Sequence, residues 1–385
     1  MNSGKATAEG TEQYCQLHPD LSYHFFANTG LRVSEAGFGG YRIDISVPEH
    51  RTALQYAMES GINLIDTSAN YADGGSERLI GTVLSQLIES GGLSRKQLVI
   101  VSKGGYLQGG NLRLSQERKR SGSPFPDLVV LDESLEHCIH PVFLADQISR
   151  SLQRMKIDCI DGYLLHNPEY YLKWAKQNHI PQQQAKQEYL RRIRQAFEFL
   201  ETEVAKGRIG CYGISSNTFP KPESDYEFTS LSAVWELAET ISPEHHFRVI
   251  EFPCNLFETN AVTLPNQPQE KTLLEFARDK NLATLINRPL NAIVEDQLVR
   301  LADNVYQGKA AIQAEAFRRR IADLDPDWKV ASLSQLALRS LRSTGGITSV
   351  LVGMRQTTYV DDVLRELRQT CPVEDRRLSW SKVAQ

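Results

Sequence analysis

Short apolar runs alternate with amphipathic stretches from about residue 35 to residue 370. The runs are INLID (62–66), QLVIVSK (97–103), CIDGYLLH (159–166), RIGCYGIS (208–215), RVIEFP (248–253), LATLIN (282–287) and ITSVLVG (347–353). Each is rich in Val, Ile, Leu or Tyr and short enough for a strand buried on both faces. A first strand near EAGFGG (35–40) makes eight. Between them lie the helical patterns 50–60, 76–90, 142–156, 189–207, 272–280, 332–343 and 358–369. Leu273, Leu274 and Ala277 mark an apolar stripe, Gly207 reads as a helix stop, and Ser76 as a helix N-cap. This rhythm predicts an α/β fold, a parallel (β/α)8 TIM barrel in one domain over 30–370. Residues 1–29 read as an N-terminal extension and 371–385 as a C-terminal tail. The rival, an open doubly wound sheet, calls for GxGxxG after its first strand, and only GFGG stands there.

Two connections exceed the usual loop lengths: 107–140 after the third strand and 167–188 after the fourth. Both emerge at the C-terminal face, where barrels place their active sites, so substrate choice is expected to lie in them. RLSQERKR (113–120) in the first reads as a solvated loop face, and RRIR (191–194) and RRR (318–320) as exposed helix faces. The polar residues Gln108, Asn111, Arg113, Asn167, Glu169 and Tyr170 hint at a hydroxylated or sugar-like substrate.

Composition narrows the class. Of 385 residues 41% are hydrophobic and 23% charged, which excludes wholesale disorder and fibrous architectures. Lys+Arg 43 against Asp+Glu 47 leaves a net charge of -4, with no global attraction to nucleic acid or anionic lipid. No apolar run approaches the ~20 residues of a membrane helix. The first residues, MNSGKATAEGTEQYC, lack the apolar core of a secretory signal. Six Cys are scattered without CxxC spacing, as in reduced cytosolic thiols; Cys159 and Cys211 fall in strands and are expected to be buried and inert. A cytoplasmic, monomeric enzyme is expected, with no nucleic-acid or membrane partner. His137, Cys138 and His140, with His245 and His246, resemble metal ligands but lack a second cluster with matching spacing. No metal is expected, and these histidines read as solvated loop residues.

Four polar residues mark the C-terminal face. Asp66 ends the second strand, Tyr71 lies five residues on, Lys103 ends the third strand and His166 the fourth. A long apolar strand ending in a charge needs a partner for that charge. Lys103 beside Tyr71 is expected to favour the phenolate and lower the phenol from its reference near ~10. Asp66 would hold the ammonium, and His166 would donate to a carbonyl oxygen. Together they make a proton donor and oxyanion site for carbonyl reduction, or a base for alcohol oxidation. Two other readings remain: a Schiff-base lyase using Lys103 as nucleophile, and a non-catalytic nucleotide-sensing barrel.

The stretches GFGGYR (37–42), DTSANYADGGSERLIG (66–81), VSKGG (101–105), LLHNP (164–168), GRIGCYGISS (207–216) and LVGMR (351–355) resemble the aldo-keto reductase superfamily, in family order. The resemblance implies a barrel oxidoreductase that binds NADP(H) across its mouth and moves a hydride between nicotinamide and an aldehyde, ketone or sugar-like substrate. By the same resemblance Tyr71 is the general acid/base, Lys103 and Asp66 tune it, and His166 positions the carbonyl. Ser215 and Ser216 match the carboxamide-binding pair, and Glu251 stands where the family usually has Gln. Gly39, Gly40 and Tyr41 match the first-strand turn near the cofactor. Pro289 and Leu290 match the pyrophosphate segment, Gly353, Met354 and Arg355 the adenosine-phosphate turn, and Asp362 the residue facing adenine. Asn287 takes the place of an aromatic against the ring, with less stacking area. Gly353 and Tyr359 replace a Lys and an Arg at the 2′-phosphate, while Arg355 remains. Its guanidinium favours NADP(H), with NAD(H) as a second cofactor.

Overall fold

A computed structural model describes residues 2–294, 297–302 and 309–383. Eight parallel strands close a barrel in chain order: β1 (Ala36–Gly39), β2 (Leu64–Asp66), β3 (Val99–Gly104), β4 (Ile160–His166), β5 (Ile209–Ser215), β6 (Phe247–Pro253), β7 (Ala283–Asn287) and β8 (Ser349–Val352). Pairing of Val352 with Phe38 joins β8 to β1, which rules out the open sheet. The helices that follow these strands are α1 (Pro48–Glu59), α2 (Gly75–Glu89), α3 (Pro141–Met155), α4 (Gln182–Ala205), α5 (Leu231–Ile241), α6 (Leu273–Asp279), α7 (Leu333–Arg342) and α8 (Thr357–Leu367). Among the described residues no helix is long and apolar enough to cross a membrane.

Strand period decides what enters the lumen, because alternate side chains point to opposite faces. Leu64, Val99, Val101, Leu164, Cys211, Val249, Leu285 and Leu351 form one buried cluster inside the ring. Ile65, Ile100, Leu165, Ile214, Ile250, Ile286 and Val350 belong to a second cluster packed on the helices. On β3 the outward Ser102 donates to Glu77 of α2 at 2.6 Å, and Arg154 of α3 holds the same carboxylate at 2.6 Å. Gly213 of β5 has no alternative: a Cβ there would stand 1.9 Å from the Val249 carbonyl oxygen.

The segment expected to be an N-terminal extension is built into the barrel floor. A helix, Ala8–Leu17, leads to a hairpin of Tyr23–Phe25 with Arg32–Ser34. Ala6, Phe26, Leu31 and Val33 join the lumen cluster. The Ala6 N–H donates to Asp161 at 2.8 Å, and Arg95 pairs with the same carboxylate at 2.7 Å. The expected C-terminal tail also packs, as a helix Arg377–Val383 whose Trp380 is fully buried and meets Trp328 edge-on at 5.4 Å. Residue 1 and residues 384–385 of these two segments lie outside the described residues.

Several expectations need correction. Segment 107–140 is no loop: it holds a helix, Gly109–Arg120, and a three-stranded antiparallel sheet of Tyr106–Leu107, Leu135–His137 and Val129–Asp132. Leu107, Phe125, Cys138 and Phe143 give it a core of its own. The basic stretch is helical and partly inward-facing, with Arg118 over the Phe125 ring at 4.4 Å and Lys119 paired to buried Glu136. Segment 167–188 is mostly the helix Tyr170–Gln177 and the start of α4. Helix α5 was missing from the sequence pattern, because half-buried Trp235 and Leu237 beside the stripe Leu231, Val234 and Ala238 blur its period. The connection after β7 also carries unforeseen structure, a hairpin of Asn291–Val294 with Gln297–Arg300 and a helix Lys309–Ala322. Ser76 does not cap α2, which starts at Gly75 after left-handed Gly74. Its hydroxyl instead donates to the Gly40 carbonyl at 3.0 Å. The helix stop at Gly207 stands, with φ +72° after the C-cap Lys206. Cys159 and Cys211 are buried, and burial pushes both thiols up to about 12.

Phe26 tests the floor. Phe26→Ala should cost about 3–5 kcal/mol in guanidinium unfolding by leaving a cavity under the lumen. A loss below about 1 kcal/mol would show that the segment merely rests on the barrel.

Candidate active site

At the C-terminal ends of the strands the lumen-facing series turns polar. Two residues beyond Leu64 comes Asp66, two beyond Val101 comes Lys103, and two beyond Leu164 comes His166. The same step from Val249 reaches Glu251, and from Leu285 reaches Asn287. Lys103 is fully buried. Its Nζ lies 2.6 and 2.7 Å from the two carboxylate oxygens of Asp66 and 3.1 Å from Oε2 of Glu251. It also donates to the Thr67 carbonyl at 3.3 Å and lies 3.4 Å from the Tyr71 hydroxyl. Oε1 of Glu251 accepts from Ser215 Oγ and from Asn287 Nδ2, each at 3.0 Å.

The charges are coupled. Burial works against the Lys103 ammonium, but Asp66 and Glu251 outweigh it and hold the proton on. Burial pushes the Asp66 carboxyl up to about 8, with Lys103 opposing and Glu251 adding. The expectation for Tyr71 is reversed: burial raises the phenol above its ordinary value. Lys103 pulls it down, but that ammonium is already shared between two carboxylates whose own charges raise the phenol. Tyr71 rests as a protonated donor.

His166 is held neutral, its pKa driven well below the ordinary value by burial and by Lys103 and His137. Its Nδ1 meets Ser68 Oγ at 2.9 Å, and Ser68 also reaches Asn70 Oδ1 at 2.7 Å. The ring stands edge-on to Tyr106 at 4.6 Å and to Tyr71 at 5.8 Å. His137 is not solvated: it is buried, burial lowers its pKa to about 4, and its Nε2–H donates to the His166 carbonyl at 2.7 Å. Cys138 is buried too, His140 caps α3, and His245 is buried edge-on against Trp235. Among the described residues no group of three or more His, Cys, Asp or Glu is placed to hold a metal ion. Ser68, Asn70, Tyr106 and His137 were missed from sequence. The first two lie between Asp66 and Tyr71, so that motif carried a signal for them. Tyr106 and His137 reach the site only through the sheet of 106–137.

A family model described as the Aldo/keto reductase family matches residues 36–375. The chain belongs to that family. It is therefore an oxidoreductase of the aldo-keto reductase class, acting between C=O and CH–OH. It is 21% identical over 374 residues to aldo-keto reductase YhdN of Bacillus subtilis, covering 93% of this chain and 92% of the relative. It is 34% identical over 110 residues to the NADH-specific methylglyoxal reductase of Escherichia coli, covering 29% of this chain and 28% of that one. Its fold matches the crystal structure of an aldo/keto reductase from Klebsiella pneumoniae in complex with NADP and acetate, with a TM-score of 0.57 at 16% identity. That match covers 93% of this chain and 94% of the other.

The other residues singled out in the sequence fall at or after the ends of β1, β5, β7 and β8. Tyr41, after Gly39 and Gly40, is mostly exposed and stands edge-on to Tyr71 at 5.2 Å. Gly40 must stay small, since a Cβ would meet the Asp66 carbonyl oxygen at 2.7 Å. Ser216 is buried against Thr218 at 3.1 Å. Pro289 and Leu290 follow β7, and Leu290 packs on the outer core. Gly353 has open space around it, whereas the Met354 side chain is fully buried and leaves only its backbone to a ligand. Among the described residues no carboxylate pairs with Arg355, at the start of α8. Asp362 is engaged, accepting from Ser334 at 2.8 Å and Gln335 at 3.1 Å.

Lys103→Met would leave two buried carboxylates without their cation, costing about 3–5 kcal/mol of unfolding free energy near pH 8. Such carboxyls bind protons more readily folded than unfolded, so the deficit should shrink as pH falls toward 5.5. An equal deficit at both pH values in guanidinium titrations would mean that the cluster is not electrostatically coupled.

Proposed function

We propose that this aldo-keto reductase is an NADP(H)-dependent carbonyl reductase in which Tyr71 is the proton donor. The observation that carries the reading is the Tyr71 hydroxyl 3.4 Å from a buried ammonium clamped by Asp66 and Glu251, with His166 beside it. Tyr71 donates its proton to the carbonyl oxygen, and Lys103 stabilises the phenolate left behind. Asp66 keeps Lys103 charged and in place. Neutral His166, its Nδ1 2.9 Å from Ser68 Oγ, stands beside the same oxygen, and in the tautomer with the proton on Nε2 it would donate a second hydrogen bond there.

The residues present fit the cofactor. Asn287 Oδ1 is buried without a hydrogen-bond partner, an acceptor suited to the carboxamide N–H. The backbone around Gly353 is open, and α8 begins without a side-chain cap, so its first N–H groups suit phosphate. Arg355 stands beside them for the 2′-phosphate. NADP(H), when bound, supplies the hydride in reduction and takes it in oxidation. The NADP complex of the Klebsiella structure supports NADP(H) as the preferred cofactor, and the NADH-specific relative keeps NAD(H) as a second.

The Schiff-base reading loses ground here, because an ammonium held by two carboxylates is a poor nucleophile. For substrate we propose an aldehyde, ketone or sugar-like carbonyl, bounded by the rings of Tyr41, Tyr71 and Tyr106. Two polar residues expected to meet it are committed elsewhere: Asn111 pairs with Gln147 at 2.7 Å, and Glu169 accepts from the Asn217 N–H at 2.9 Å. Six free thiols support a cytoplasmic setting, and we take the chain as a monomer.

Tyr71→Phe should lower kcat for aldehyde reduction by about 10²–10⁴-fold while the NADPH Kd from fluorescence titration moves little. Full activity in the variant would remove Tyr71 from the chemistry. Covalent labelling of the wild type by borohydride with an aldehyde would restore the lyase reading.

A further inference from the structure

We propose that the Glu251 carboxylate biases the enzyme-bound equilibrium toward carbonyl reduction, by favouring the cationic oxidised nicotinamide over the neutral reduced one and so making bound NADPH a stronger hydride donor. The inference rests on the proposed NADP(H) site and concerns the one residue whose charge departs from an amide at that position.

Glu251 is buried at the top of β6 between Ser215 and Asn287, both of which donate to its Oε1. Its Oε2 faces Lys103 at 3.1 Å, an ammonium that Asp66 already holds by both oxygens. With Asp66 ionised, above about pH 8, two carboxylates against one ammonium leave a surplus negative charge in the lumen mouth. The other groups facing the cluster do not neutralise it. Tyr71, after β2, is kept protonated, and His166, on β4, is kept neutral. Arg288, after β7, is committed to Glu258 at 2.8 Å. A glutamine at 251 would keep the acceptor oxygen and remove the surplus. Asn287 Oδ1, the orphan acceptor assigned to the carboxamide, belongs to the same side chain whose Nδ2 holds Glu251. The surplus charge therefore lies one side chain away from the acceptor that would hold the carboxamide.

Its consequence follows from linkage: whatever favours the oxidised ligand over the reduced one makes the bound couple more reducing. In the reduction, the hydride leaves the nicotinamide C–H bond with both electrons and forms the new C–H bond at the carbonyl carbon. The carbonyl oxygen takes the phenolic proton of Tyr71, and the ring left behind is cationic. Glu251 stabilises that developing positive charge, which points toward carbonyl reduction; the same negative charge holds the proton on Tyr71, an opposing effect that Lys103 offsets by stabilising the phenolate.

The test is the ratio of the Kd for NADPH to the Kd for NADP+, measured by equilibrium titration of the full chain and of Glu251→Gln. At pH 9.5, with Asp66 ionised, the variant should lower this ratio by about tenfold, the size of one close, partly screened charge interaction. A ratio unchanged within twofold in a variant with wild-type circular dichroism and melting would overturn the proposal. If the variant does not fold, the wild type decides. Asp66, pushed up to about 8, holds a proton below that pH and masks the surplus charge. The wild-type ratio should therefore rise between about pH 6.5 and pH 9.5, and a flat ratio overturns the inference. Failure of both nucleotides to bind would instead remove the NADP(H) reading itself, and this inference with it.

Discussion

A fully buried ammonium cannot stand alone in a protein interior, and the top of this barrel is organised around satisfying one. Lys103 has three protons to place, and Asp66, Glu251, the Thr67 carbonyl and the Tyr71 hydroxyl compete for them. Asp66, Thr67 and Tyr71 come from β2 and the segment after it and Glu251 from β6, so the interaction ties β2, β3 and β6 together at their C-terminal ends. The same electrostatics determine the chemistry. The ammonium stays charged, the phenol stays protonated and the neighbouring imidazole stays neutral, which is the resting state a proton donor needs.

Below that layer the lumen is apolar, and below the apolar layer it is sealed by the chain's own beginning. Phe26 reaches Gly162 of β4, and Asp161 on the same strand gathers the Ala6 N–H and the Arg95 guanidinium. The barrel thus has an apolar, buried floor and a mouth that carries charge. That asymmetry matters energetically, since a cluster of ionised groups is tolerable only where its attractions are strengthened by low dielectric and its geometry cannot relax.

Around the mouth, the connections after β3, β4 and β7 fold into small structures of their own. The sheet of 106–137 brings His137 to the His166 carbonyl and Tyr106 to the His166 ring. Two residues that nothing in the sequence ties to the site become part of it because a peripheral sheet delivers them. Such built walls position aromatic faces more rigidly than open loops would.

The eight strands, the barrel and the residues that end its strands in charge were all readable from the amino-acid order alone. Those features were legible because strand burial and helix amphipathicity are local patterns, and because Asp66 and Tyr71 share one short motif. The sequence did not reveal the floor made by Phe26 or the substructure within 107–140, which depend on contacts between distant segments. Nor could it settle the sign of the Tyr71 shift. Proximity of a lysine argues for a lowered phenol, but the net effect depends on how many carboxylates share that lysine and how deeply all of them are buried. Only the closing of the ring brought Glu251 from β6 to within 3.1 Å of Lys103, and that single contact turned a Lys–Asp pair into a cluster of two carboxyls on one ammonium.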